Sequence, residues 1–178
     1  MSKLILPYRG VLPTIASDAF VAPNATIIGD AVIGAGSSIW FGCVLRGDVH
    51  QIRVGARVNI QDGTTVHVTG GRSATLIGDD VSIGHMALIH GCMLEHESFV
   101  GMGAIVMDEV VVETRGMVAA GAMVTPGKRV RTGELWAGRP AKLMRELTDE
   151  DYEMMRRTGE NYARLAQQYR AEIEAVAG

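Results

Sequence analysis

The stretch VAPNATIIGDAVIGAGSSIWFGCVL, residues 21–45, carries an aliphatic side chain at every sixth position: Val21, Ile27, Ile33, Ile39 and Leu45. The same spacing returns at Val54, Ile60 and Val66, at Ile77, Ile83 and Ile89, and from Val100 through Val106, Val112, Val118 and Val124 to Val130. Four residues after most of these comes a second small or apolar side chain, among them Ala25, Ala31, Ser37, Cys43, Val49, Val58, Thr64, Val81, Ala87, Ala104, Val110 and Ala122. Gly often follows the aliphatic residue, as at Gly34, Gly55, Gly78, Gly84 and Gly101. A period of six with β-branched residues does not fit a 3.6-residue helix. It fits short strands joined by corners, because side chains alternate along a strand and Gly tolerates positive φ. The reading is an all-β solenoid of about seven coils, each buried only by its neighbours.

The count breaks in three places. Leu45 to Val54 spans nine residues, which puts three extra around His50–Ile52. Val66 to Ile77 spans eleven, and the five extra match the loop-like run Thr69-Gly70-Gly71-Arg72-Ser73. A smaller deletion is expected near Glu95–Phe99. Insertions of this kind fall at solenoid corners and often decorate a functional face.

The expected division is an N-terminal segment (1–11), the solenoid (12–135), and a linker with a C-terminal α-helix (136–178). Thr148 followed by Asp149, Glu150 and Asp151 reads as a helix start, with an N-cap hydroxyl and acidic residues facing the first-turn dipole. Met155, Thr158, Tyr162, Leu165, Tyr169, Ile173 and Val176 then recur at three- and four-residue spacing. This stripe is expected to pack on the outside of the solenoid, on its own subunit or on a neighbour, with Gly159 as the place for a kink.

Composition narrows the function classes. A net charge of −3 with scattered basic residues gives no footprint for nucleic acid. Leu4–Leu6 is too short an apolar run for a signal-peptide core or a membrane span, so the expectation is a cytoplasmic protein. Cys43 and Cys92 form no disulfide framework and are expected as free thiols. Aromatic residues are only 5% of the chain, as a thin prism filled with Val, Ile and Ala requires.

Three of the five histidines have a pattern. His67 follows Val66 and His90 follows Ile89, so both take the first outward position of a hexad. With the insertion discounted they lie one coil apart on one face, about 4.8 Å from each other along the axis. Two imidazoles so placed can share a metal. His85 lies one hexad before His90 at the second outward position, on a different face, and reaches such a metal only from a neighbouring subunit, as in a cyclic trimer. Any one of these histidines alone reads as a solvated side chain; the register of the pair is what points to a metal. Three histidines and one open position on zinc generate hydroxide near neutral pH. Arg46, Asp48, Gln61 and Asp62 stand at outward positions on the preceding coils, where an amide can orient bound hydroxide and a carboxylate can back a ligand histidine. His50 and His96 read as surface residues.

These residues together resemble the gamma-class carbonic anhydrase family: the repeats, L-R-G-D at Leu45–Asp48, N-I-Q-D at Asn59–Asp62, His67, I-G-H at Ile83–His85, I-H-G-C at Ile89–Cys92, and W-A-G-R-P-A at Trp136–Ala141. The resemblance implies a left-handed parallel β-helix of hexapeptide repeats with a C-terminal α-helix. It implies a homotrimer with zinc (alternatively iron or cobalt) between subunits, His67 and His90 from one and His85 from the next, and reversible hydration of carbon dioxide to bicarbonate. It further implies that Gln61 contacts the bound hydroxide, that Arg46 and Asp48 pair across the interface, and that Tyr162 on the helix reaches the site. Two departures stand out. Val49 occupies the place of a glutamate after the R-G-D aspartate, and the loop after His67 has no proton-shuttling carboxylate, so slower turnover is expected. Two other readings remain open at this point: thioester hydrolysis at the same metal, and a non-catalytic trimer in which the metal serves structure or partner binding.

Overall fold

The computed structural model describes residues 4–177 and contains the expected left-handed parallel β-solenoid of about seven turns with one C-terminal helix. Each coil lays one short strand on each of three faces. The first face stacks Leu4–Leu6, residues 26–28, residues 44–46, Thr65–His67, Leu88–His90, Ile105–Val106 and Met123–Val124. The second runs from Thr14–Ile15 to Arg129–Val130, and the third from Phe20–Val21 to Glu134–Gly138. All pairings around the prism are parallel, with one register shift, between Gly29 and Ala31 against the strand Val44–Val54. The aliphatic hexad residues fill the interior: Ile27, Ile39, Leu45, Ile60, Val66, Ile83, Ile89 and Val100 are fully buried. At about 1.5–3 kcal/mol for each such side chain, this thin core is the main source of stability.

The solenoid is longer at both ends than the repeat count suggests. Leu4–Leu6 already pairs with residues 26–28, and Glu134–Gly138 turns back antiparallel onto Ala141–Glu146 as a closing hairpin where the sequence reads as linker. The breaks in the repeat are also sharper in the structure. In the long strand Val44–Val54, residues 48–51 stand opposite the single residue Asp30. Ile52 therefore takes the inward place assigned to Val49, which is 49% exposed. The five-residue insertion is the loop 69–73, pinched by a Thr69–Ser73 bridge. The deletion does not lie near Glu95–Phe99. Leu94 is fully buried five residues after Ile89, and Cys92 fills the small position, so the missing residue belongs to the corner at His90–Gly91.

The helix Asp149–Ala177 starts as expected: Asp151 N donates to Thr148 Oγ1, and Asp151 Oδ2 accepts from Thr148 N at 2.7 Å. It is one continuous helix past Gly159 and lies on the third face of its own chain. Met155 and Ala166 are buried and Tyr162 and Ile173 half-buried, while Leu165 is more than a third exposed and Val176 is 88% exposed. Five of the nine aromatic residues gather here, Tyr162 edge-on to Trp40 and Tyr169 against Phe20, Trp40 and Phe41. Among the described residues no helix is long and apolar enough to cross a membrane.

The corrected phase of the core predicts opposite costs for two substitutions. Leu94→Ala should lower the unfolding free energy by about 2–5 kcal/mol, and Val49→Ala by no more than about 0.5 kcal/mol, measured by urea denaturation. The helix start adds a pH dependence. The hydrogen bonds from Arg145 and from Thr148 N hold the Asp151 carboxyl well below the ordinary carboxylate range. Its contribution is therefore present above about pH 4 and lost as the pH falls further. Thermal melts of Asp151→Asn should lie below wild type at pH 7 and converge with it in acid.

Candidate metal centre

The first face carries the two stacked histidines. His67 and His90 are direct Cα partners in the parallel ladder, with ring centroids 5.1 Å apart. His67 Nδ1 and His90 Nε2 face each other at 3.1 Å. The other nitrogen of each ring meets a carboxylate: His67 Nε2 lies 3.0 Å from Asp48 Oδ1, and His90 Nδ1 lies 2.6 Å from Asp108 Oδ1. A carboxylate only accepts, so these partners assign the ring protons to His67 Nε2 and His90 Nδ1. With both rings neutral, the facing nitrogens then both present lone pairs. Two tetrahedral zinc ligands at about 2.0–2.1 Å would stand roughly 3.3 Å apart. The donor set thus fits a metal cation, which resolves the repulsion of two facing acceptors.

Asp48 reaches His67 because the bulge at residues 48–51 swings the chain outward. It also accepts from Arg46 of the same chain. Burial alone would raise its pKa, but the hydrogen bonds from Arg46 and His67 outweigh that and hold it below the ordinary range. Asp108 behaves alike: burial pushes it up, and His90 and Thr69 pull it further down.

His85 stands at the corner between the third and first faces. Its Nδ1 lies 3.0 Å from Asp62 Oδ2 and its Nε2 3.0 Å from the Tyr162 hydroxyl. Burial, with Asp62 nearby, raises the pKa of Tyr162, so the phenol stays protonated and donates to Nε2. Neither His67 nor His90 is among the partners of His85, and among the described residues no single-chain group of three His, Cys, Asp or Glu is placed to hold a metal. Gln61 differs from its outward expectation: it is 4% exposed, its Nε2 donates to Asn59 Oδ1 at 3.0 Å, and Asn59 Nδ2 donates to Ser82 Oγ at 2.7 Å. His50 accepts from Gln51 N, and His96 accepts from Asp79 N with the Asp79 carboxylate 3.8 Å away. Burial pushes both thiols, Cys43 and Cys92, up to about 12, which leaves them neutral and unreactive.

The sequence reading missed Asp108 and Asn59. Asp108 sits 18 residues and one coil beyond His90, but it is the second residue after Val106 while His90 is the first after Ile89, so the outward positions do not pair. Asn59 is visible in N-I-Q-D yet occupies a strand position whose burial depends on the helix. Asn59→Ala would leave the Gln61 amide and the Ser82 hydroxyl without partners, and chemical denaturation should register a loss of about 1–3 kcal/mol.

Residues 13–47 match the family model for the bacterial transferase hexapeptide (six repeats). The chain is 52% identical over 165 residues to gamma carbonic anhydrase 1, mitochondrial, of Arabidopsis thaliana, covering 90% of this chain and 60% of that protein. It spans about three fifths of the length of that plant relative. It is 40% identical over 168 residues to a carbonic anhydrase of Geobacillus kaustophilus, covering 94% of this chain and 92% of that one. Among solved structures, a hexapeptide transferase family protein from Anaplasma phagocytophilum superposes with a TM-score of 0.89 at 50% identity, covering 95% of this chain and 99% of that one. With its hexad core, its stacked histidines and full-length relatives of this kind, the chain belongs to the gamma-class carbonic anhydrase family.

Proposed function

We propose that this chain is a metal-dependent enzyme that interconverts carbon dioxide and bicarbonate. The observation that carries the reading is the pair of lone pairs on His67 Nδ1 and His90 Nε2, 3.1 Å apart, each backed by a carboxylate on the far side of its ring. His85 has Asp62 Oδ2 3.0 Å from its Nδ1 and the Tyr162 hydroxyl on its Nε2. We assign all three as ligands of one zinc, with iron or cobalt as the alternative metals, His67 and His90 from one subunit and His85 from the next in a homotrimer. Support for a neighbour on this side comes from exposed apolar residues beside the histidines: Met86 at 76%, Met102 at 57% and Leu88 at 37%.

A zinc with an open position lowers the pKa of a water to about 7 and so supplies a nucleophile at neutral pH. The chain's own residues supply the rest. Asp48 and Asp108 hold the ring tautomers of His67 and His90, which keeps one basic nitrogen on each of them free. Gln61 has its Nε2 committed to Asn59 and keeps Oε1 as an acceptor that orients the reacting water. Arg46 pairs with Asp48 and places positive charge where bicarbonate forms. Tyr162, which donates to His85 Nε2 in the single chain, would be released as a donor beside the substrate when that nitrogen binds metal. Nothing in the protein supplies a nucleophilic thiol, since both cysteines are buried and neutral.

Stopped-flow carbon dioxide hydration on anaerobically purified, metal-quantified protein tests the proposal. Hydration should track zinc or iron content, and His90→Ala should fall to the buffer background while keeping its fold. Full metal occupancy with no rate above buffer would remove the activity and leave the metal centre to another role.

A further inference from the structure

The loop 69–73 has no carboxylate, yet it is tied into the centre. Thr69 Oγ1 donates to Asp108 Oδ2 at 2.8 Å, and the other oxygen of the same carboxylate accepts from His90 Nδ1 at 2.6 Å. Thr69, His90 and Asp108 belong to three successive coils, so Asp108 reaches across the coil that carries His90. Two irregularities make that reach possible. The corner after His90 is one residue short, and the residue there is Gly91. A Cβ at Gly91 would lie 2.4 Å from Asp108 Oδ1 and 2.8 Å from Ser73 Cβ. The corner is also tied from above and below: Gly91 N donates to Thr75 Oγ1 and to His67 O, and Glu109 N donates to Gly91 O at 2.7 Å. An exposed Arg72–Glu109 pair closes the loop over this contact.

We propose that Asp108, braced by Thr69, is the positioning residue for His90, and that the metal affinity of the centre depends on it. A carboxylate alone on its χ2 axis offers either oxygen; the Thr69 hydroxyl holds Oδ2 and so commits Oδ1 to the ring. The ring proton is then kept on Nδ1, and the Nε2 lone pair faces His67. The insertion thereby acts on the metal through structure, where an acidic loop would act by carrying protons. This inference rests on the assignment of His67, His85 and His90 as one metal centre, and its test reads metal affinity rather than turnover.

The experiment is Zn²⁺ affinity by chelator competition on the assembled full-length protein, with ¹⁵N NMR of the His90 ring in the metal-free protein. Asp108→Ala should weaken binding by about 10–100-fold and abolish the preference for the Nδ1-protonated ring. Asp108→Asn keeps an acceptor oxygen and should fall between Ala and wild type. Thr69→Val should weaken binding less than Asp108→Ala, and adding it to Asp108→Ala should cost nothing more, because Thr69 acts through the carboxylate. Should Asp108→Ala fail to fold, the near-isosteric Asn and Val variants carry the test. Wild-type affinity in Asp108→Ala, or equal losses in Ala and Asn that follow a lowered melting temperature of the metal-free protein, would overturn the proposal while the ligand assignment stands. A wild-type protein that binds Zn²⁺ no better than His90→Ala would overturn both.

Discussion

Parallel, in-register stacking of coils is the constraint on which the rest of this molecule depends. A single coil of three short strands buries half a core at best, so each hexad aliphatic must sit above its counterpart in the next coil. Ile27 over Leu45, Leu45 over Val66 and Val66 over Ile89 form one such column. The register that aligns these inward residues also aligns the outward ones. His90 lies over His67 because Ile89 lies over Val66, and no local feature of either histidine is needed to bring them together. Moving the pairing by one residue would exchange the inner and outer sets of side chains, so the burial energy of the whole column guards the geometry of the pair.

Against this regular background, the interruptions gather at the site. The three extra residues at 48–51 deliver Asp48 to His67; the five at 69–73 deliver Thr69 to Asp108; the lost residue at His90–Gly91 lets Asp108 reach His90. Elsewhere the corners are uniform and set by sterics. A Cβ at Gly34 would sit 2.4 Å from Gly55 O, and one at Gly84 2.5 Å from Met102 N. Another corner column uses charged residues at positive φ, Arg57, Asp80, Glu97 and Arg115, paired across coils as Arg57–Asp80 and Arg115–Glu97. Exposed pairs contribute about 0–1 kcal/mol, whereas left-handed backbone costs about 1–2 kcal/mol per residue. The ion pairs therefore do not offset the strain, and the buried aliphatic column beside each corner must hold it.

How much of this could be read beforehand follows from the same physics. The coil architecture, the His67–His90 pairing, the two insertions and the Thr148 cap were legible, because each rests on spacing or on a side chain acting on its own neighbourhood. The inward roles of Ile52 and Leu94 were not, since a chain that adds or drops residues at a corner resumes its phase at a point only the three-dimensional path defines. Val49 was misread as inward for that reason. The burial of Gln61 and Asn59, and the exposure of Leu165 and Val176, depend on how the helix lies across the third face, which a stripe of apolar residues does not specify. Tyr162 was pointed to by family resemblance, and the structure brings its hydroxyl to His85. Asp108 escaped because it stands second after Val106 whereas His90 stands first after Ile89, so the outward positions do not pair.

Under the proposed trimer, the electrostatics of the three histidines also bears on assembly. His67 and His90 each give a proton to a carboxylate and keep one lone pair. With both rings neutral, those lone pairs oppose each other at 3.1 Å, an arrangement that costs energy until a cation sits between them. On His85 the lone pair is capped by the Tyr162 hydroxyl. A His85 lent to a neighbour's pair would surrender that hydrogen bond, a loss of about 1 kcal/mol. Completing a zinc site returns on the order of 10 kcal/mol, so the cap does not oppose assembly. It keeps an exposed corner histidine in a single tautomer, with its basic nitrogen outward from Asp62, until a better acceptor of that lone pair arrives. The released phenol would then stand beside the reacting centre as a donor, which gives the C-terminal helix a chemical reason to cross the third face where it does.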